Sequence, residues 1–182
     1  MKYVGIAAHS KDVSEDLKAK ASVFLRELRS KCPNDVALVV GGYWGLMKFV
    51  VDEGLSLGFN VVVLPPIEQE DVEFPEKVFV IKTGTSYRVR SVFLARTSDA
   101  LVVLGGGAGC MQELVTAYTE GKPIFALVGT GMPTDVVVNL PEYLDDRHLA
   151  PIKKYLNPVE LTSELCRTIS ERKGRKPLVK HG

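Results

Sequence analysis

Short apolar runs rich in valine recur along this chain, and longer amphipathic stretches separate them. The runs are solidly apolar and do not alternate with polar residues, which is typical of parallel strands covered by helices on both faces. Six runs are predicted to be strands: Tyr3–Ala8, Val36–Val40, Asn60–Leu64, Val78–Ile81, Ala100–Leu104 and Pro123–Val128. A chain of this pattern is constrained to one central, mainly parallel sheet.

The stretches between the runs have the spacing and the end residues of helices. Ser14 is placed to cap a helix that reaches about Lys31, with apolar side chains at helical spacing. Further helices are predicted at Leu46–Leu57, Ser86–Thr97, Met111–Glu120 and from Asn157 to about Arg172. Because strand and helix alternate throughout, the sequence predicts an α/β fold: a Rossmann-like, doubly wound, mainly parallel sheet with helices on both faces.

The chain length of 182 residues favours one nucleotide-binding domain, predicted over residues 1–172. Residues 173–182 are basic and contain glycine and proline, which favours a flexible C-terminal tail. Two long irregular connections, the acidic stretch 65–77 and residues 129–148, are of the kind that often carries function. The second contains a candidate short strand at Val136–Asn139.

The charge balance and the hydropathy pattern disfavour two classes of partner. Charged residues make up 25% of the chain and the formal net charge is +1, so we expect no nucleic-acid partner. No apolar run reaches the roughly 18 residues that a bilayer-spanning helix needs. The first residues also lack the features of a signal peptide, so we expect a cytoplasmic protein with no membrane partner.

The cysteines and histidines are few and scattered. Cys32, Cys110 and Cys166 are odd in number and far apart in sequence, which favours reduced thiols over a disulfide framework. The cysteines and histidines do not have the spacing of metal ligands, so we expect no metal site.

Two glycine-rich turns each follow a predicted strand, at Gly41–Gly45 and Gly105–Gly109. Ligands of open parallel sheets bind beyond the carboxyl ends of the strands. Glycine lets a phosphate approach the backbone amides, and a following helix presents free amides to an anion. One glycine pair is equally well explained as a tight turn, but four glycines in five residues and a second such turn favour a phosphorylated, nucleotide-like ligand.

Two common nucleotide fingerprints do not fit these turns. A P-loop requires Lys followed by Ser or Thr, whereas Lys48 is followed by Phe49. The dinucleotide fingerprint requires a third glycine where Cys110 stands. A P-loop hydrolase and a nicotinamide dehydrogenase are therefore disfavoured.

The two turns, in this order and spacing, resemble two motifs of one superfamily. It contains the Lonely guy cytokinin-activating phosphoribohydrolases, often misnamed lysine decarboxylases, and the molybdenum-cofactor carrier proteins. The family's Gly-Gly-x-x-Gly-Leu-Met is intact at Gly41–Met47, and its Pro-Gly-Gly-x-Gly-Thr-x-x-Glu appears at Gly105–Glu113. The resemblance covers the chain from Tyr3 to about Arg167. It implies a homo-oligomer, a dimer or tetramer, that requires no cofactor.

The resemblance also implies site residues. In the enzymes, an arginine on the helix before the second motif and the final motif glutamate hydrolyse the bond between base and ribose 5-phosphate, and these positions are Arg90 and Glu113 here. A carboxylate suits this reaction because glycosidic cleavage passes through an oxocarbenium-like state. The predicted ligand-binding residues are Gly41, Gly42, Gly45, Met47, Gly106, Gly107, Ala108, Gly109, Cys110 and Gln112. Further pocket candidates are His9, Ser10, Tyr43, Trp44 and Thr130.

Simpler roles stay open for several of these residues. Glu113 suits the dipole of a helix N-terminus, and Arg90 could be a solvated surface charge. Tyr43 and Trp44 could stack on a base or merely pack at the surface. A helix N-terminus lowers a thiol pKa, but no histidine lies near Cys110 in sequence, so covalent catalysis is disfavoured.

Four departures from the motifs weaken the case for catalysis more than the case for binding. Gly105 replaces proline, Cys110 replaces threonine, Gln112 replaces glutamate and Ser91 replaces lysine. Two functions remain: a nucleoside 5′-monophosphate phosphoribohydrolase, or a non-catalytic carrier or sensor of a nucleotide or of molybdenum cofactor or another phosphorylated pterin. DNA handling, as in the distantly related DNA-processing protein A, would need a basic face that this chain lacks.

Overall fold

The computed structural model describes residues 1–32 and 36–171. The predicted basic tail, with Arg172, lies outside the described residues. The strands are β1 (Lys2–Ala8), β2 (Val36–Val40), β3 (Asn60–Val63), β4 (Val78–Val80), β5 (Ala100–Gly105), β6 (Ile124–Leu127) and β7 (Ile152–Tyr155). The α-helices are α1 (Glu15–Lys31), α2 (Gly45–Ser56), α3 (Tyr87–Thr97), α4 (Ala108–Thr119) and α5 (Pro158–Glu171).

The seven strands form one sheet in the order β4-β3-β2-β1-β5-β6-β7, and every neighbouring pair is parallel. The predicted Rossmann-like α/β fold is confirmed. The chain winds outward from β1 to β4, then crosses back and continues from β5 to β7. Strand order therefore reverses between β1 and β5, which is where sheets of this type open a crevice for ligands.

Helices cover both faces of the sheet, which explains why the central strands are apolar on both faces. Side chains of β1 alternate between two cores, because Val4 and Ile6 pack with α1, α2 and α5 while Ala7 packs with α3 and α4. Both faces of the central strands are buried, so neither face can carry polar residues.

The helix ends agree closely with the sequence signals, with one informative exception. Ser14 caps α1 by accepting a hydrogen bond from the Leu17 amide, 3.3 Å away. The exception is α4, which begins at Ala108, three residues earlier than the predicted start at Met111. Gly109 therefore lies in the first turn of the helix and not in the preceding loop. This shift matters because it changes which amides are free.

Two predictions about the C-terminal half were wrong. The candidate strand at Val136–Asn139 belongs to a 3-10 helix, Pro133–Asn139, because Pro133 favours the first helical position. The strand β7 was missed, since Lys153 and Lys154 interrupt its apolar pattern. Lys153 pairs with Glu164, and the Lys154 ammonium donates to the Leu140 carbonyl, so an edge strand accommodates both lysines.

The expectation of three reduced thiols was wrong for two of them. Cys32 and Cys166 form a disulfide that joins the end of α1 to α5, with Cα atoms 5.1 Å apart. They are 134 residues apart in sequence, so only the packing of α1 beside α5 on one face of the sheet brings them together. Cys110 is free and buried. In the described part of the chain, no helix has the length and apolar character needed to cross a membrane.

Candidate functional site

Three loops converge beyond the carboxyl ends of β1, β2 and β5, at the centre of the sheet. The loop after β1 lies against both glycine turns. The carbonyl of His9 accepts a hydrogen bond from the Leu46 amide, 3.0 Å away, at the first turn. A Cβ atom added to Gly106, in the second turn, would lie 3.5 Å from the Cα of His9. The segment at His9 therefore joins the two predicted ligand-binding turns.

The first turn is filled by backbone from this loop. Gly45 has a φ of +55°, and an added Cβ would come within 2.5 Å of backbone atoms of Ser10 and Lys11. The Leu46 amide, near the start of α2, donates to the carbonyls of His9 and Lys11. A phosphate at this turn would need the space beside Gly45 and the Leu46 amide, and the protein's own backbone already occupies both.

The other two glycines of the first turn make room for side chains. A Cβ on Gly41 would overlap the guanidinium of Arg90, and a Cβ on Gly42 would overlap the indole ring of Trp44. Both glycines are buried. Gly41 thus allows a cation from α3 to lie directly against the end of β2, and Gly42 allows an aromatic ring to lie beside it.

The second turn is open. Among residues 1–32 and 36–171, no atom lies within 4 Å of a Cβ added to Gly107 or Gly109, and Ala108 and Gly109 are exposed. Gly107 is the N-cap residue of α4, so no side chain caps this helix end. The amides of Ala108, Gly109 and Cys110 have no carbonyl partner within the helix because they belong to its first turn. This helix end can accept an anion.

A neighbouring loop fixes the base of the open turn. The amide of Gly106 donates to the hydroxyl of Thr134, 3.0 Å away, so this amide is not free for a ligand. The carboxylate of Asp135 accepts hydrogen bonds from the amides of Thr130 and Gly131 and from the Thr130 hydroxyl. Thr130, a predicted pocket residue, therefore braces the loop behind the turn.

Arg90 and Glu113 form a buried ion pair between α3 and α4. Arg90 Nη1 lies 2.8 Å from Glu113 Oε1, and both side chains are at most 7% exposed. The hydroxyl of Ser91 donates to the same carboxylate oxygen, 3.1 Å away. Within the described residues, Arg90 Nε is buried with no partner and no hydrogen bond uses Glu113 Oε2. The pair thus keeps hydrogen-bonding capacity that the protein does not use.

Burial raises the pKa of the Glu113 carboxyl, and the charge of Arg90 and the hydrogen bond from Ser91 only partly offset this. Sequence analysis missed the part that Ser91 plays, because it treated this position as a lost lysine. Ser91 and Arg90 are adjacent on α3, and both are buried although polar.

Cys110 does not have the properties of a nucleophile. Its side chain is buried, and desolvation raises the pKa of the thiol to about 12, with a further contribution from the charge of Glu113. The thiol is therefore protonated near neutral pH. It fills the space under the second turn, where a Cβ on Gly106 would overlap its sulfur.

Two other predicted residues make internal contacts. Met47 is 5% exposed and belongs to the core between the sheet and α2. Gln112 is half-buried, and its side-chain amide donates to the carbonyl of Arg88, 2.8 Å away, so it ties α4 to the start of α3. In the two described ranges, histidine, cysteine, aspartate and glutamate side chains form no cluster of three suited to a metal ion.

An aromatic depression of about 370 Å³ lies next to the first turn. Its lining residues are Tyr43, Trp44, Gln69, Val72, Glu73 and Tyr87. The rings of Trp44 and Tyr87 meet edge to face with centroids 6.4 Å apart. A larger depression of about 420 Å³, formed by α1, α2 and Leu57, contains no predicted site residue, and we assign it no part in the site.

The two glycine turns, the Arg90–Glu113 pair and the aromatic depression form a continuous series of contacts. This arrangement is compatible with several members of one superfamily, so comparisons with known proteins are informative at this point. An uncharacterised protein of Archaeoglobus fulgidus is 31% identical over 91 residues, which are 50% of this chain and 58% of that protein. The match thus spans little more than half the length of that relative.

Two solved structures share the fold over nearly the whole chain. The structural genomics target TM1055 is 28% identical, with a TM-score of 0.77 over 92% of this chain and 99% of that one. The molybdenum cofactor binding protein of Rippkaea orientalis is 16% identical, with a TM-score of 0.72 over 93% of this chain and 97% of that one. At that identity the likeness to the Rippkaea protein shows the fold alone.

The superfamily indicated by the two motifs is confirmed by an independent match. The model of the SLOG cluster4 family matches residues 3–151, which contain both glycine turns and the Arg90–Glu113 pair. Because this match extends over most of the chain, the protein belongs to the SLOG cluster4 family.

Proposed function

We propose that this protein binds a small phosphorylated ligand built on a planar heterocycle, a nucleotide or a phosphorylated pterin, and acts as its carrier or sensor. The observation that carries the proposal is the open first turn of α4, with Ala108 and Gly109 exposed and no capping side chain. A phosphate accepts hydrogen bonds from such amides and is favoured by the helix dipole.

The buried pair supplies the second part of the proposed site. Arg90 lies against Gly41, and its partner Glu113 is on α4, the helix whose first turn would hold the phosphate. A fork-shaped guanidinium with an unused buried donor favours a ligand that brings an acceptor to it. The heterocycle would then extend from the open turn toward the aromatic depression.

Binding without turnover is favoured by how firmly the candidate catalytic group is held. Glu113 is buried, and both Arg90 and Ser91 bind the same oxygen of its carboxylate. A thiol at Cys110 replaces the hydroxyl that the enzymes place at this turn, so the backbone amides would hold the phosphate without it. The shared fold with a molybdenum cofactor binding protein supports a carrier function.

Calorimetric and thermal-shift titrations test the proposal with GMP, AMP and neopterin monophosphate, each beside its unphosphorylated form. At a ligand concentration of 100 times Kd, we expect stabilisation of about 2.7 kcal/mol by at least one phosphorylated compound. Gly109→Asp should abolish it by placing a negative charge in the open turn. Thr119→Asp, which adds the same charge at an exposed position in the last turn of α4, should not. Equal binding of the unphosphorylated forms, or no binding of any phosphorylated compound, would overturn the proposal.

A second candidate is hydrolysis of the glycosidic bond of a nucleoside 5′-monophosphate, and one observation favours it. Glu113 Oε2 makes no hydrogen bond within the described residues, so this oxygen could stabilise an oxocarbenium-like state. Release of free base from nucleoside monophosphates, including N6-substituted AMP, measures this activity. The hydrolase predicts release that Glu113→Gln abolishes, whereas the carrier predicts ligand binding without release.

We also propose that the protein is a homo-oligomer, as the family resemblance implies. Phe93 on α3 and Val115 on α4 are large apolar side chains that are 43% and 45% exposed in the single chain. A subunit contact over these helices would cover them. Light scattering of the purified protein gives the mass directly, and Phe93→Asp should then lower it to that of one chain.

A further inference from the structure

The aromatic depression has the size and the walls of a site for a flat ring system. Its volume of about 370 Å³ lies within the roughly 300–1,000 Å³ that holds small ligands. Three aromatic side chains, Tyr43, Trp44 and Tyr87, line it. Aromatic side chains stack on planar heterocycles of many kinds, because every such heterocycle has a π face.

The walls of the depression are held in place before any ligand arrives. The hydroxyl of Tyr43 donates to Asp52, 2.7 Å away, and the ammonium of Lys48 lies 4.7 Å from the centre of its ring. The ring of Phe74 also packs against that of Tyr43, with centroids 6.1 Å apart. A ring fixed in this way loses little conformational entropy when a ligand stacks on it.

The depression adjoins the proposed phosphate site through a chain of direct contacts. The indole of Trp44 occupies the space beside Gly42, and the guanidinium of Arg90 occupies the space beside Gly41. Arg90 in turn binds Glu113 on α4. One ligand can therefore place its phosphate on the first turn of α4 and its ring toward the depression.

Two polar side chains in the wall have unused hydrogen-bonding capacity. Within the described residues, neither the exposed carboxylate of Glu73 nor the half-buried amide of Gln69 makes a side-chain hydrogen bond or ion pair. The neighbouring acidic residues differ, because Glu70 accepts from the Gly84 amide, 2.7 Å away, and Asp71 pairs with Lys82. The loop is thus anchored by two carboxylates, while a third lines the cavity.

A free carboxylate beside a stacking surface selects a particular ring edge. An ionised carboxylate only accepts hydrogen bonds, so it favours a ring with two adjacent N–H donors. The 2-amino-4-oxopyrimidine ring, common to guanine and pterin, offers its ring N–H, which is N1–H in guanine and N3–H in pterin, and its 2-amino group side by side. Adenine places a lone pair at N1, and hypoxanthine lacks the 2-amino group.

We propose that this depression binds the heterocycle of the ligand and selects the 2-amino-4-oxopyrimidine ring through Glu73, with Trp44 and Tyr87 as stacking surfaces. The inference rests on the proposed function, since the phosphate at α4 positions the ring. Glu73 is here a specificity residue for binding and takes no part in a reaction.

The test uses Trp44, the single tryptophan of the chain, as a reporter inside the depression. Affinities for GMP, IMP, AMP and neopterin monophosphate are measured by calorimetry, and quenching of Trp44 fluorescence is followed with the three nucleotides. We expect GMP to bind at least about tenfold more tightly than AMP, with IMP between them, and to quench Trp44. Whichever of GMP and neopterin monophosphate binds more tightly shows whether the site prefers a guanine or a pterin.

Glu73→Gln keeps the size of the side chain and removes one acceptor and the charge. It should reduce the preference for GMP over AMP to less than about threefold. Glu76→Gln, the same change at an exposed residue outside the depression, should keep the preference. AMP binding as tightly as GMP, no quenching by GMP, or equal loss of preference in both variants would overturn this inference. Phosphate-dependent binding without ring preference would overturn this inference alone, whereas no binding of any phosphorylated compound would overturn the proposed function with it.

Discussion

The two glycine turns have similar sequences and follow strands on either side of β1, yet they do different things. In the first, each glycine makes room for the protein itself: Arg90 at Gly41, Trp44 at Gly42 and the Ser10–Lys11 backbone at Gly45. In the second, Gly107 and Gly109 make room for nothing that the chain supplies. A glycine-rich motif therefore has two physical uses, and only the neighbouring atoms show which one applies.

Arg90 connects the two turns, because it contacts the first turn directly and the helix that follows the second turn through Glu113. Its guanidinium lies against the first turn and binds Glu113, which is four residues, about one helical turn, beyond Gly109 on α4. The first turn is thus the support for a charged group, and the second is the surface open to a ligand. We therefore expect stability to depend mainly on the first turn and ligand binding to depend mainly on the second.

The largest effect on stability is expected at the buried pair. Arg90→Met leaves the Glu113 carboxylate buried without its partner and should lower the free energy of unfolding by about 3–5 kcal/mol. Adding Glu113→Gln should recover more than half of that loss because it removes the isolated charge. The pair Arg96–Glu120 joins the same two helices with Arg96 exposed, so Arg96→Met should cost less than about 1 kcal/mol. Urea unfolding of the wild type and these three variants measures the differences, and equal costs at both pairs would contradict the account of Arg90.

The next effect is expected at the filled turn. Gly45→Ala combines a positive φ with overlap against the backbone of Ser10 and Lys11. It should lower the free energy of unfolding by about 3 kcal/mol, measured by urea unfolding. A loss of less than about 1 kcal/mol would mean that the loop after β1 moves aside easily and that the first turn is not filled in solution.

The same substitution in the open turn should act in the opposite direction on stability. Gly109 lies in the first turn of α4 with empty space beside it, so Gly109→Ala should raise the free energy of unfolding by about 0.5–1 kcal/mol. The substitution should also weaken binding of the phosphorylated ligand, because the new methyl group projects into the space that the phosphate needs. Calorimetry measures the affinity, and unchanged affinity would place the phosphate elsewhere.

The smallest effect concerns pH. Burial raises the pKa of Glu113 in the folded state. The protonated carboxyl therefore makes its full contribution to the free energy of unfolding, relative to a neutral side chain, below the unfolded-state pKa of glutamate, about 4.3. This contribution is lost as the pH rises through the folded-state pKa. The stability of the wild type relative to Glu113→Gln should therefore fall as the pH rises above about 4.3. A difference that rises over this range would show that Arg90 and Ser91 outweigh burial.

Most of the fold could be predicted because its strands are buried on both faces and therefore read as apolar runs. The strand β7 could not, since an edge strand tolerates Lys153 and Lys154 with partners outside the sheet. The disulfide between Cys32 and Cys166 depends on packing between helices at opposite ends of the chain. Local sequence carries no signal for such a contact.

The candidate site was predictable in its location and less so in its roles. Motif spacing alone selected Arg90 and Glu113, and the structure brings them within 2.8 Å of each other. The contact of Gly45 with Ser10 and Lys11 was not predictable, because those residues lie 34 or more positions earlier in the chain. Ser91 shows the same limit: a substitution judged as a lost charge gives a new hydrogen bond.

Amide NMR during a titration with GMP, or with neopterin monophosphate if that binds more tightly, tests the difference between the two turns most directly. We expect the resonances of Ala108, Gly109 and Cys110 to shift with the ligand, because these amides are free to bind its phosphate. The Leu46 amide, already bonded to His9 and Lys11, should keep its hydrogen bonds and shift far less. Large shifts at Leu46 with none at residues 108–110 would contradict the claim that the second turn is the phosphate site.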